Sequence, residues 1–352
     1  MIDRALTQRV ANVVARGTPA QRAAAPPPAA LPGDLVAICT DAQLRVVTYT
    51  GLKPATSLPL PEAVGRPAWI EANVSSMGAL LDPLGEKLAV GGLLAGPARA
   101  AAGAMVSVEA GALTGYLSQR VMGQFEFSLA DPTSQARLLF VAPNIASAAV
   151  RLEADLEELL TWIAFHEVTH AVQFTAVPWL RPHLAGLLRE LLGSLEMKVD
   201  PRALLTLPSL DDVRALVDSV RADGLIGAVG GGRQRELLDQ MQGVMGVIEG
   251  HAEHVMDVVG AQALPSLVAL RAALDRRRTE RPPLMALLER LIGLEAKMRQ
   301  YEDGKRFCDA VVAAAGPAAL HSVFDGPEQL PTLEELRDPD EWMRRTGLHA
   351  MA

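Results

Sequence analysis

Cysteine is scarce. The 352-residue chain holds two, Cys39 and Cys308, far apart and in no metal-ligand spacing. That excludes a cysteine-rich zinc site; two cysteines are compatible with one disulfide, but the plainer reading is two reduced thiols in a cytoplasmic protein. Aromatic residues are 4% of the chain, so the core is built mainly from Ala, Leu and Val, which favours helices packed closely through small side chains. No Lys/Arg run interleaved with aromatics occurs. With a formal net charge of −8, no general attraction to nucleic acid or to an anionic membrane is expected. The first 16 residues lack the continuous apolar run of a secretory leader. The nearest approach to a membrane span, 88–113, is interrupted by Arg99 and Glu109 and reads as a buried helix with a break at Pro97.

What is present describes a globular, mostly helical protein. Apolar residues are 49% of the chain and charged residues 21%, a folded and not a disordered composition. The first 16 residues form an amphipathic stretch, and 17–33 a Pro/Ala-rich linker. A single catalytic domain is expected over 34–346, with an N-terminal part at 34–145 and a metal-binding helical part at 146–346. Helical periodicity marks 34–51, although the run Arg45 to Thr50 is β-prone. A Pro-rich connection spans 54–67, and helices follow at 69–84 and 100–120. Gly103, Ala104, Gly111 and Gly115 would let another helix approach the second of these. The run ARLLFVAP at 136–143 is the best strand candidate. Beyond it the chain reads as helix at 147–175, 185–197, 210–222, 234–259, 267–277, 284–314 and 333–346. The Gly-rich stretch 224–232 is a loop. The fold class is therefore mainly α, α+β at most.

The chemistry concentrates in His166-Glu167-Val168-Thr169-His170. Residues four apart share one helix face, so both imidazoles can reach one zinc ion at about 2.0–2.1 Å. Glu167 then stands beside the metal and not on it, where a general base takes a proton from activated water. The flanks Ile163-Ala164-Phe165 and Ala171-Val172 are apolar, which keeps the site dry. By composition alone, such a match arises in roughly one chain of this length in a hundred.

A catalytic zinc site needs a third protein ligand and one open position. Glu249, Glu253 and Asp257, each four apart, line one stripe of a Met- and Val-rich helix. Three acids so placed call for a cation. Glu249 is the preferred ligand, with Gly250 beside it permitting close approach of a neighbouring helix. Glu253 and Asp257 would support a zinc-bound imidazole by hydrogen bonding. Glu253 and His254 remain open as alternative ligands, and a solvated helix edge is the plain alternative for the stripe.

At these residues the sequence resembles the Zincin_2 family, zincin-like bacterial hydrolases also described as coenzyme F-420 biosynthesis-associated metallopeptidases. The resemblance runs from Pro67 to Arg345. It rests on WIEAN (69–73), GYLSQRVMGQF (115–125), APNI (142–145), HEVTHAVQF (166–174), EGHAEHVMD (249–257) and KMRQYEDGKRF (297–307). It implies an α-rich zincin-type fold with a glutamate as third zinc ligand, as in the gluzincins.

The expected reaction is zinc-assisted hydrolysis of a peptide or other amide substrate, with Glu167 as general base. A tetrahedral oxyanion needs a further donor. Tyr301 is the first choice, with His251, His254 and Arg299 as alternatives, although Tyr301 also reads as an ordinary packed helix residue. The rival class is a zinc-stabilised binding or scaffold protein without chemistry. Glu167 argues against it, because a structural site has no use for that carboxylate.

Overall fold

The computed structural model describes residues 3–17, 31, 33–90, 97–131, 134–194, 232–279 and 294–348, with backbone alone over 80–90, 97–102, 275–279 and 294–301. The chain divides into two compact units. Unit 1 comprises Met1–Val47, Pro54–Thr175 and Val259–Leu270, and unit 2 comprises Thr48–Lys53, Ala176–Val258 and Arg271–Ala352. The expected helix at 210–222, the glycine loop at 224–232 and most of the 17–33 linker lie outside the described residues.

Unit 1 begins with helix α1, Arg4–Ala15, whose first turn is capped by the Asp3 side chain accepting the Leu6 N–H. Helix α2, Leu35–Thr50, runs straight through the β-prone segment. Its buried Cys39, Ala42 and Val46 fall at helical spacing, and that packing overrides local propensity. Strand β1, Pro61–Val64, lies inside the stretch read as an irregular Pro-rich connection. Helix α3, Arg66–Val90, starts earlier and runs longer than expected. Helix α4, Pro97–Leu117, begins with proline, which suits a first helical turn. Placing Gly111 and Gly115 on α4 brings it directly against α1, since a Cβ at either would collide with the Thr7 or Ala11 carbonyl. The expectation of a buried helix over 88–113 is corrected. Met105 is 65% exposed, and Val106, Val108 and Leu113 are exposed too, whereas the face bearing Ser107 and Thr114 is buried among the described residues. Among the described residues, no helix is long and apolar enough to cross a membrane.

The small sheet consists of β1, strand β2 (Gly123–Glu126) and strand β3 (Arg137–Val141) in the order β1-β3-β2. β3 pairs parallel with β1 and antiparallel with β2, with Phe140 opposite Gly123 and Leu138 opposite Phe125. The strand expected at 136–143 is therefore β3, the central strand. Trp69, Ile70 and Val74 of α3, Ala11 and Ala15 of α1, and Leu139 and Val141 of β3 make a shared core.

Helix α5, Ala142–Leu152, follows directly, and helix α6, Leu156–Ala176, comes after a break. The single helix expected over 147–175 is thus two. Glu153 takes a left-handed backbone, φ +53°, which ends the first. Asp155 then starts the second, its Oδ1 accepting the Glu157 and Glu158 N–H groups at 2.9 Å each, an N-cap.

Unit 2 contains helix α7, Leu180–Ser194, most of helix α8, Gly232–Ala263, the later part of helix α9, Leu267–Thr279, and helix α10, Leu294–Ala315. A Cβ on Gly250 would strike the backbone of Gly304, and one on Gly304 the carbonyl of Gly246. α8 and α10 thus cross at backbone contact through three glycines. The chain ends in helices α11, Pro317–His321, α12, Leu333–Arg337, and α13, Pro339–Thr346. Pro339 splits the helix expected at 333–346. Trp342 anchors this end, its ring edge-on to Phe307 and its Nε1 donating to the Gln329 carbonyl at 2.7 Å.

Candidate active site

Along its central turns, α6 is buried on nearly every side, so its polar side chains must find partners within the protein. Glu167 is 7% exposed and His170 9% exposed, with His166 half-buried. The two rings stand edge to face, 84° apart in plane, with centroids 4.6 Å apart. Their Nε2 atoms converge to 3.2 Å.

That convergence tests the residues for a metal. Two nitrogens 3.2 Å apart, each about 2.0–2.1 Å from an ion, subtend roughly 99–106° at it, close to the tetrahedral angle. The tautomer fits as well. Gln173 Oε1 lies 2.9 Å from His170 Nδ1 and accepts its proton, which leaves the Nε2 lone pair facing His166. Gln173 is fully buried, so its amide is itself fixed. Metal-binding histidines characteristically have this kind of support on the far nitrogen. The sequence reading missed Gln173, although it lies three residues from His170 on the same helix.

Glu167 is held from the other side. Phe125 N–H, on the open edge of β2, donates to Glu167 Oε2 at 2.8 Å. The strand comes this near because residue 123 is glycine: a Cβ there would lie 2.5 Å from Glu167 Cγ and 2.8 Å from Oε1. Phe125, Phe127 and Phe174 pack ring to ring, with centroids 4.4 Å apart for Phe127 and Phe174, and fasten this edge to α6. Behind it, Asn73 and Gln124 exchange amide hydrogen bonds at 3.1 and 3.2 Å. Buried Asn144 donates to the Ser118 and Val121 carbonyls at 2.7 and 2.6 Å. These residues belong to the sequence stretches that carried the family resemblance, and their work is to hold β2 against Glu167. A strand signal was present in the alternation Phe125-Glu126-Phe127-Ser128.

In unit 2, Glu249 is half-buried on α8, next to the glycine crossing. The cations that the acidic stripe calls for include side chains. Glu253 pairs with Arg271 at 3.4 Å, and Asp257 pairs with Arg271 and with Lys305, the latter at 3.2 Å. Burial pulls the Lys305 ammonium down, but Asp309 and Asp257 outweigh it and hold its pKa above the ordinary value. His254 has both ring nitrogens engaged, by Tyr49 and Asp309 at 2.6 Å each, which speaks against it as a metal ligand. His251 is fully buried, edge-on to Phe324. The Tyr301 side chain and that of Arg299 lie outside the described residues.

The model of the zincin-like metallopeptidases matches residues 2–343. The chain belongs to the zincin-like metallopeptidase family. The match takes in the N-terminal region that the motif resemblance left out, so α1 and α2 are part of the family fold. Among solved structures, this zincin-like protein is similar to one from Chloroflexus aurantiacus, described as "a putative hydrolase with a novel fold". The two share 27% identity over 99% of each chain, with a TM-score of 0.69. No curated protein matches the sequence. Family and neighbour agree on the same broad class, a hydrolase, and the family description adds the metal.

Proposed function

We propose that this zincin-like protein is a zinc-dependent amide hydrolase, most simply a metallopeptidase of gluzincin type. His166, His170 and Glu249 would hold the metal, and Glu167 would act as general base. The observation that carries the reading is the convergence of His166 and His170 Nε2 at 3.2 Å beside a buried, backbone-anchored Glu167. Zinc held there supplies Lewis acidity, which polarises a scissile carbonyl and makes water acidic enough to attack at neutral pH.

The chain's own residues do the rest. Gln173 keeps His170 in the metal-binding tautomer. The Phe125 N–H occupies Glu167 Oε2 and aims the carboxylate, so the proton of the attacking water is taken at Oε1 and passed to the leaving amine. The apolar side chains around α6 exclude bulk water and strengthen these interactions. Glu249 supplies the anionic third ligand from α8, where the glycine crossing sets the helix backbone.

A scaffold role explains less. A buried carboxylate beside two metal-type histidines costs desolvation and gives a structural site nothing. Peptides and small amide metabolites are the substrate classes this chemistry serves. The two free thiols, Cys39 and Cys308, both with pKa raised by burial, Cys39 to about 12, fit a reducing, cytoplasmic setting.

The test is cleavage of an internally quenched peptide library by zinc-loaded protein. Activity lost in Glu167→Ala with zinc retained supports the reading. Equal activity in that variant contradicts it. Zinc affinity unchanged in Glu249→Ala would move the third ligand to another residue.

A further inference from the structure

Phe125 of β2 turns its ring toward Phe174 of α6. Its neighbour Glu126 therefore points to the opposite face of the strand, toward α3, where the Ser76 hydroxyl donates to Glu126 Oε1. A cavity of about 420 Å³ lies between α3, the end of β2 and the connection to β3. On the α3 side its wall includes Ala68, Ala72, Ser76 and Ala79. These are small residues at helical spacing on one face, and their shortness leaves the room. The whole cavity belongs to unit 1.

Three carboxylates line this space, Glu71, Glu126 and Asp131, against one cation, Arg137. Arg137 is already matched. Its Nε and Nη2 donate to the two oxygens of Glu62 at 2.9 and 2.6 Å. That pairing is the first cause of its raised pKa; burial opposes it, and the charges of Glu62, Glu126 and Glu71 add to the rise. The cavity thus carries surplus negative charge. Glu126 is its buried acid, 8% exposed. Because the side chain lines the cavity, what remains exposed of it opens there. A carboxylate can accept about four hydrogen bonds. Among the described residues Ser76 donates to Oε1, and no donor meets Oε2. Leaving a buried anionic oxygen so is costly, and a bound donor would relieve it.

Two kinds of cation carry the right charge. A divalent metal needs several oxygens converging on one point. Among the described residues, no three carboxylate oxygens of this cavity lie close enough together for that. An ammonium or guanidinium group instead brings three or five N–H donors and can serve acceptors spread over a wall, such as Glu126 Oε2 and the hydroxyls of Ser75 and Ser128. The volume falls within the range of small-molecule sites, about 300–1,000 Å³. The alanines of α3 give methylene groups an apolar surface to lie on.

We propose that this cavity binds an alkylammonium or alkylguanidinium group, with its charged head on Glu126 and its methylene chain along the alanines of α3. The site is separate from the metal-dependent reaction and does not rest on it. A free amine and a lysine or arginine side chain of a peptide offer the same chemistry.

The test is titration calorimetry on the full chain with cadaverine, agmatine and Nα-acetyl-lysine amide, with pentanol and calcium chloride as controls. Cadaverine or agmatine should bind in a 1:1 complex. Glu126→Gln keeps the shape and the Ser76 bond but removes the charge. It should weaken binding by about 10–100-fold, the worth of one charge-assisted hydrogen bond. Ala68→Leu fills the cavity with every charge in place and should abolish binding, which gives a second result independent of Glu126. A thermal melt shows that each variant is folded. Acetyl-lysine amide binding as tightly as cadaverine supports the site with a peptide side chain as its ligand; binding of the free amines alone supports it with a small amine. No binding of any amine, equal binding of pentanol, unchanged affinity in Glu126→Gln, or calcium bound in the amines' place overturns the proposal. None of these readouts measures hydrolysis, so its failure is distinct from a failure of the zinc site.

Discussion

Replacing Gly123 by alanine should inactivate the protein without emptying its metal site. The added Cβ would stand 2.5 Å from Glu167 Cγ and 2.8 Å from Oε1. Ordinary contacts between carbons begin near 3.5 Å, so something must yield by about 1 Å. The strand resists, because Gly123 pairs with Phe140 and Phe125, two residues on, is bonded to the same carboxylate. Glu167 therefore moves. Overpacking of this kind costs roughly 1–3 kcal/mol, a loss a protein of this size survives. Misplacing a catalytic group by about 1 Å costs on the order of 100-fold in rate. The assay is kcat on the quenched peptide library, with zinc content and a thermal melt run on the same sample. The expected result is a kcat near one-hundredth of the wild type's, with zinc retained and a cooperative melt at lower temperature. A kcat equal to the wild type's would refute the argument that β2 aims Glu167.

Three further outcomes are expected. Gln173→Ala should weaken zinc affinity by roughly 10–100-fold, measured by competition with a chelator, because His170 loses the acceptor that sets its tautomer; undiminished affinity would show that the amide is mere packing. Asp155→Ala removes the cap of α6 and should cost about 1 kcal/mol, lowering Tm by roughly 1–3 °C, whereas an unchanged melt would contradict the capping account. Glu335 is buried; burial raises its pKa, but Arg345 and Thr332 outweigh it and hold it below the ordinary carboxylate range. A depressed folded pKa gives stability that is present above the unfolded value of about 4.3 and is lost as pH falls through the folded one. Glu335→Gln should therefore flatten the acid limb of stability measured by urea unfolding between pH 5 and pH 2, and an identical limb would rule the group out.

Local spacing made half of the site legible. His166 and His170 are one turn apart, and the helix that carries them is written in apolar periodicity, so their convergence follows from sequence distance alone. Gln173 obeys the same rule and needed only to be sought. Strand β2 was harder, being four residues long, but Phe125-Glu126-Phe127-Ser128 alternates as a half-buried strand does. The partners of the acidic stripe were out of reach. Arg271 and Lys305 are distant in sequence from Asp257, and Tyr49 and Asp309 meet His254 across 205 and 55 residues. Periodicity reports which face is apolar, never which distant side chain faces it. The β-prone segment at 45–50 weakened the helix signal without reversing it, since helix α2 is stabilised by what Val46 packs against and not by intrinsic preference.

The central claim is a zinc ion held by His166 and His170. Zinc content of the purified chain, by elemental analysis after dialysis, tests it most directly. About one zinc per chain is expected, lost in His166→Ala and His170→Ala and retained in Glu167→Ala. A chain that binds no zinc, or one that keeps it after His166 is removed, would contradict the account.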